Sequence, residues 1–187
     1  MLAIDKLIGN PFLATMTAPS HTLRRIAIEA LRSGTIASVV MMPFGFLFKW
    51  LGLRVGHYGP KLGEVLFGAQ PEPWMQLLLL AQHLLIGWVS AVPLLVFWLW
   101  RSPRAIRLAD GLVFGALYYV AVNALALPWA FGDPYPWQLG GAYIYPSLVV
   151  HLVFGISIAL TARAFGFPHE KQIHSPLRTG VNGVNAE

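Results

Sequence analysis

The sequence contains no cysteine and few charged residues. Without cysteine, the chain has no disulfide framework, no thiolate metal site and no thiol nucleophile. Charged side chains make up 11% of the residues, whereas soluble domains average about 25%, so the chain carries too little charge to cover a water-facing surface. Hydrophobic residues reach 56%, which excludes intrinsic disorder. These values indicate a one-domain integral membrane protein.

Long uncharged stretches separate the charged residues, and their lengths predict four transmembrane helices. A bilayer core needs about 20 apolar residues in helical form. The stretches are apolar on all sides rather than alternating, which disfavours a β-barrel. The predicted helices lie near residues 31–53, 74–100, 109–130 and 143–165. We expect three regions: a cytoplasmic or interfacial segment (1–30) in which a helix starts at Pro19-Ser20, the transmembrane domain (31–165), and a disordered cytoplasmic tail (166–187).

Basic residues are distributed unevenly between the two ends of the predicted helices. Ten of them fall on the side that holds both termini, and three fall on the other side, namely Lys49, Arg54 and Lys61. By the positive-inside rule, both termini lie in the cytoplasm. The sequence therefore predicts a multi-pass protein of the bacterial inner membrane. The same bias accounts for the net charge of +5 without a nucleic-acid partner.

Two stretches of the sequence match each other. Residues 83–87 in the second helix and 151–155 in the fourth both read His-Leu-aliphatic-apolar-Gly, and Ser33-Gly34 and Asp110-Gly111 give a weaker match between the first and third helices. The match predicts an all-α fold of two tandem helical hairpins, related by an axis along the membrane normal. His and Gly four positions apart share one helix face, so we expect the two imidazoles to face each other at one depth. Small residues let helices approach closely, and this role is expected for Gly34, Gly111, Gly115 and Gly155.

These repeated elements resemble those of the YagU-like group of four-helix bacterial inner-membrane proteins and a related family of unknown function. The resemblance also rests on residues 34–37 and 111–116 and on the outer loop rich in proline and aromatic residues. It covers roughly residues 30–165. It implies four spans in the inner membrane with no agreed biochemical activity. The outer loops and the tail depart from that group, so its link to acid resistance is not carried over.

His83 and His151 are the leading site candidates, because an ionisable residue inside a span is a functional hypothesis by default. Two facing imidazoles could ligate the iron of haem b, relay protons, or line a polar path together with Gln82, Ser90, Asn123 and Ser157. The structural alternative is a pair of interhelical hydrogen bonds that hold the two repeats together. Zinc requires more ligands than two histidines, so no metal site is expected. Haem b is the one cofactor considered.

The other polar residues near the spans suggest structural roles. Asp110 and Arg163 fall at the cytoplasmic ends of the third and fourth helices, where a salt bridge between them is expected. Asn123 and Gln82 are read as polar packing residues. Asp133 precedes a proline, which is typical of a turn, and His57 is read as a solvated loop residue.

The sequence lacks the signatures of common catalytic sites. There is no Gly-x-Ser-x-Gly, phosphate-binding glycine loop, His-Glu-x-x-His or carboxylate pair inside a span. We therefore expect no catalytic residues and a non-enzymatic inner-membrane protein of unknown molecular role. A haem-binding electron-transfer subunit and a small, stress-related transporter or proton pathway are the alternatives. The expected partner is the lipid bilayer, with a homo-oligomer or a larger membrane complex as further options.

Overall fold

The computed structural model describes residues 19–56, 58–101 and 108–162 of the chain. This part of the chain is helical and contains no strand. We number its helices α1 (Pro19–Trp50), α2 (Gly59–Phe67), α3 (Glu72–Arg101), α4 (Leu108–Phe131), α5 (Pro136–Leu139) and α6 (Gly141–Thr161). Four of them are long and apolar enough to cross a membrane, namely α1 (from Thr22), α3, α4 and α6. The prediction of a multi-pass helical membrane protein is confirmed at this level.

Helix α1 starts earlier than the first predicted span. It begins at Pro19, so residues 19–30 of the expected interfacial segment continue into the span as one helix of 32 residues. Proline is favoured in the first turn because its missing N–H would be unpaired there. The following turns contain the good helix formers Leu, Arg, Ala and Glu, and Arg32 Nη2 lies 2.6 Å from Glu29 Oε1 one turn back. The local sequence thus gives no reason for the helix to stop before the span.

Helix α4 contains a π-helical segment, Tyr119–Ala126, between two α-helical parts. The N–H of Leu127 bonds to the carbonyl of Val122, five residues back. Pro128 follows directly, and in an α-helix its ring would clash with the carbonyl four residues before it. The wider turn therefore accommodates the proline. Such segments are rare and are frequently found at functional sites.

The four long helices form a bundle in which α1 packs on α3 and α6, and α6 packs on α4. The loops that carry α2 and α5 meet at one end of the bundle, which we call the loop end; Lys61 on α2 bonds to Asp133 before α5 there. The opposite end, where α1 begins and α6 ends, is the terminal end. The apolar core lies toward the terminal end and includes Leu94, Leu95, Trp98, Phe154 and Ile158. Large apolar side chains on the outside of the helices are exposed, as expected for lipid contact.

Glycine pairs bring the helices of each hairpin into backbone contact. A Cβ atom placed on Gly34 of α1 would lie 2.7 Å from the carbonyl oxygen of Gly87 on α3. A Cβ on Gly111 of α4 would overlap the carbonyl oxygen of Gly155 on α6, and one on Gly115 would overlap that of His151. The expected role of these glycines in close packing is confirmed, and it fixes how α4 and α6 meet at the site described next.

Candidate functional site

His151 lies in the interior of the bundle, with 7% of its surface exposed. Its Nδ1 atom lies 2.6 Å from the carbonyl oxygen of Ser147, one turn earlier on α6. Its Nε2 atom lies 2.8 Å from Nδ2 of Asn123 on α4. A carbonyl oxygen only accepts, so Nδ1 carries the hydrogen and donates it; Nε2 of the neutral ring then accepts from the Asn123 amide. Both ring nitrogens are therefore hydrogen-bonded.

Two tyrosines of α4 lie beside the imidazole. The ring of Tyr118 stacks on it at a centroid distance of 5.7 Å and an interplanar angle of 25°. The ring of Tyr119 contacts it at the same distance with a tilt of 54°. Tyr118 ends the first α-helical part of α4, and Tyr119 and Asn123 belong to its π segment. The π segment thus supplies both the hydrogen-bond partner and one aromatic wall of the site.

Hydroxyl groups continue from His151 toward the loop end. Ser147 Oγ accepts the backbone N–H of Gly56 at 2.7 Å. Gly56 also lies against Tyr143, whose hydroxyl oxygen would be 3.0 Å from a Cβ atom at that position. The hydroxyl of Tyr119 is buried and, within the described chain, has no hydrogen-bond partner. These groups connect the imidazole to the loops.

A cleft of about 270 Å³ opens at the loop end. Its lining consists of Tyr58, Pro60, Lys61, Asp133, Pro134, Leu139 and Tyr143. Lys61 Nζ donates to both carboxylate oxygens of Asp133, at 2.5 and 2.6 Å. Burial raises the pKa of Tyr58 to about 12, and the nearby Tyr143 and the Asp133 carboxylate act in the same direction. Tyr143 lines this cleft and also lies against Gly56, whose N–H bonds to Ser147 Oγ.

Toward the terminal end the polar groups give way to the apolar core. Ser90 Oγ of α3 donates to the hydroxyl of Tyr118 at 2.8 Å, so Ser90 joins the cluster around His151. Ser157 instead donates to the carbonyl of Val153 in its own helix, at 2.7 Å. Of the polar residues predicted to line a path, Asn123 and Ser90 are thus placed near His151.

His83 has a different environment. Its Nε2 atom lies 3.2 Å from the carbonyl oxygen of Ser38 on α1. Nearby, Ser38 Oγ and Gln82 Nε2 are buried and have no partner among the described residues. The hydrogen bonds of His83 lead to α1 and those of His151 to α4, and no direct contact between the two imidazoles is found in the described ranges. Facing imidazoles and haem ligation stay predictions; ligation through Nε2 of His151 would require the Asn123 amide to leave it.

The charged residues near the helix ends have partners that were not among the predictions. Asp110 accepts a hydrogen bond from Trp98 Nε1 at 3.3 Å, and Arg101 Nη1 lies 3.6 Å from its carboxylate. Asp110 therefore links α4 to α3, and its expected partner Arg163 lies outside the described residues, as does His57.

Asp133, predicted as a turn residue, also forms the ion pair with Lys61. The sequence does contain a signal for this pair: the two loops predicted at the same end of the bundle carry Lys61 and Asp133, whose charges are opposite.

The described residues contain no group of three or more His, Asp or Glu side chains placed to hold a metal ion. Comparisons with protein-family models, with curated proteins and with solved structures find no match for this chain. The YagU-like resemblance therefore stays a prediction. The site has to be interpreted from its own geometry.

Proposed function

We propose that the protein is a non-enzymatic, four-span inner-membrane protein that provides a proton pathway between the loop-end cleft and His151. The observation that carries the proposal is the position of His151: a buried imidazole, hydrogen-bonded at both nitrogens, close to the buried hydroxyls of Ser147 and Tyr119. Imidazole is the side chain whose charge changes most readily near neutral pH. Ionisable groups inside membranes commonly mark such proton paths.

The line of polar groups supports a proton rather than a larger solute. The cleft is lined in part by Tyr58 and Tyr143. Between the cleft and the imidazole, Ser147 accepts from the Gly56 N–H through its hydroxyl at 2.7 Å and from His151 Nδ1–H through its carbonyl at 2.6 Å, so the groups are closely packed. The proposal therefore includes waters that bridge the hydroxyls of Ser147, Tyr119 and Tyr143, so that a proton passes where a larger solute has no room. The unpaired hydroxyl of Tyr119 is the expected position for a bridging water, since buried polar groups usually obtain a partner from ordered water.

The apolar core closes the pathway on its inner side. Beyond Ser90 and Tyr118, toward the terminal end, lie Leu94, Leu95 and Phe154 of the core. Ser157 lies in this layer, but its hydroxyl donates to a carbonyl of its own helix and not toward the cluster around His151. The arrangement corresponds to a half-channel with access from the loop end, and release toward the terminal end would need the helices to move.

The direction of the pathway follows from the orientation that we propose. The excess of basic residues on the terminal side supports a cytoplasmic position of both termini, so the cleft faces the outside. Tandem hairpins are part of the proposal. They are supported by the equivalent places of the Gly34–Gly87 and Gly111–Gly155 contacts, which match the aligned positions of the sequence repeat. The proposed membership in the YagU-like group rests on the same motifs.

A flux assay tests the proposal. The purified full chain is reconstituted into liposomes that contain a pH-sensitive dye, and a pH step with valinomycin and potassium drives proton entry. We expect dye responses faster than in protein-free liposomes, and at least a tenfold loss in His151→Leu. The matched control is His83→Leu, the same substitution at the corresponding place of the other hairpin, which should retain the flux. A wild-type response equal to that of empty liposomes, or equal losses in both variants, would contradict the proposal.

A further inference from the structure

We propose that Asn123 is a positioning residue that lets His151 alternate between a neutral and a charged ring by rotating its side-chain amide. In one rotamer Nδ2–H donates to Nε2 of the neutral ring, as observed at 2.8 Å. In the other, the amide oxygen accepts from the Nε2–H of the charged ring. The inference rests on the proposed function, in which the charged ring is the state that holds the proton.

The hydrogen bond at Nδ1 leaves Nε2 as the atom that changes. The Ser147 carbonyl accepts from Nδ1–H at 2.6 Å, and it can keep this bond in both states of the ring, because Nδ1 carries a hydrogen in both. Protonation therefore forms one N–H bond at Nε2. The proton comes from a protonated bridging water beside the ring: one of its O–H bonds breaks as the N–H bond forms, neutral water stays behind, and no other covalent bond changes.

An amide is suited to both states of the ring. Its NH₂ group and its carbonyl oxygen occupy similar positions after a half-turn, so donor and acceptor exchange with little change in shape. A carboxylate at this position would only accept and would favour the charged ring, whereas an aliphatic side chain would offer neither group. Asn123 is buried, with 8% of its surface exposed. Its amide, and not bulk water, is therefore the hydrogen-bond partner of Nε2.

The other groups around the ring do not carry charge in the arrangement observed. The titratable groups that contact it are the phenols of Tyr118 and Tyr119, both on α4. From α3, Ser90 reaches the ring only through its bond to Tyr118; on α6, Ser147 contributes its carbonyl. The ion pair of Lys61 and Asp133 belongs to the cleft. Stabilisation of a charged ring within the described structure therefore falls to the carbonyl oxygens of Ser147 and Asn123, since hydrogen bonds to a charged form favour it.

Nitrogen NMR of the ring tests the inference directly. The full chain with ¹⁵N-labelled histidine is placed in lipid nanodiscs, and the His151 signals are identified by their loss in His151→Leu. A pH series then gives the fraction of doubly protonated ring in the wild type, Asn123→Asp and Asn123→Leu. We expect the aspartate variant to keep the doubly protonated ring to a pH about 1–3 units higher than the wild type, and the leucine variant to lose it at a lower pH than the wild type.

Ser90→Ala is the matched control, because it removes a hydrogen bond in the same cluster but neither bond of the ring. Its His151 signals should follow those of the wild type. If Asn123→Asp does not fold, the comparison of Asn123→Leu with the wild type and with Ser90→Ala still tests the inference. Identical titrations of the wild type and Asn123→Leu, or an equal change in Ser90→Ala, would overturn the inference. The ring signals do not depend on flux, so an inactive protein whose ring responds to Asn123 would contradict the proposed function and leave this inference standing.

Discussion

The backbones of Gly111 and Gly155 are in contact, and a Cβ atom on either residue would overlap the carbonyl oxygen of the other. One turn along α4, Gly115 packs in the same way on the carbonyl of His151. This close approach brings α4 near enough to α6 for Asn123 to reach the imidazole. The small residues of the interface therefore position the polar site, in addition to stabilising the hairpin.

The first prediction follows from this contact. Alanine at Gly111 or Gly155 has no room, so the helices must separate or shift, at a cost of about 1–3 kcal/mol in unfolding free energy. Gly45 provides the matched control, since it lies within α1 and a Cβ there would meet nothing within 4 Å. Gly45→Ala should be neutral or more stable by up to about 1 kcal/mol. Thermal unfolding in detergent measures all three, and equal midpoints would show that the glycine contact does not matter.

The extent to which the sequence predicts this structure depends on the range of the interactions involved. The four long helices are predictable because hydropathy and span length are properties of each segment alone. The π segment is not, because it depends on Pro128 together with the packing of α4 on α6. Helix α2 begins with Gly59-Pro60 and contains a further glycine, so its sequence resembles a loop.

The sequence identifies the polar residues inside the spans, but it does not identify their hydrogen-bond partners. Periodicity places His83, His151 and Asn123 on helix faces, but it does not say which helices are neighbours. In the structure α6 packs between α1 and α4, so His151 bonds to Asn123, whereas His83 bonds to a carbonyl of α1. Pairing the two histidines assumed that the repeat brings equivalent residues together across its axis.

The separate partners of His83 and His151 lead to the second prediction. Replacing either by leucine should cost about 0.6–1.7 kcal/mol, the range measured for hydrogen bonds between membrane helices. Residues without shared partners usually give additive changes within about 0.5 kcal/mol. The double variant should therefore lose the sum of the single losses in a detergent unfolding assay. A double loss well below that sum would restore the facing arrangement that the repeat predicts.

The third prediction concerns topology. Reporter fusions after Trp100 and at the C-terminus should be active on the cytoplasmic side, and fusions near Gln70 or Gln138 on the outside, because the loop end carries few basic residues. A periplasm-active and a cytoplasm-active reporter at each site serve as mutual controls. A cytoplasmic signal at Gln138 would reverse the proposed direction of the pathway.

The fourth prediction concerns Lys61 and Asp133. The side chains are 50% and 27% exposed, and exposed ion pairs contribute about 0.2–1 kcal/mol because water and salt screen them. A double-mutant cycle of Lys61→Met and Asp133→Asn should give a coupling in that range at low salt, and a smaller one at 1 M NaCl. Lys49→Met, at the end of α1, is a control for the loss of a positive charge near the same end. A coupling that does not change with salt would indicate that the pair is shielded from water.

The last prediction concerns Tyr58 in alkaline solution. Burial, then Tyr143 and the Asp133 carboxylate, raise its pKa from the usual 10.0 to about 12. The folded protein therefore keeps this phenol neutral where the unfolded chain ionises it. The stability that the neutral phenol contributes is complete below pH 10 and is lost as the pH rises toward 12.

The absorbance of phenolate near 295 nm, taken as wild type minus Tyr58→Phe, isolates this group from the other tyrosines. We expect the difference signal to rise with a midpoint near pH 12, and to rise earlier in Asp133→Asn, because that variant removes one of the charges that oppose ionisation. Asp133→Asn also breaks the ion pair with Lys61, so Lys61→Met is measured in parallel. A midpoint near pH 10 in the folded protein would mean that the cleft leaves the Tyr58 hydroxyl in contact with bulk water.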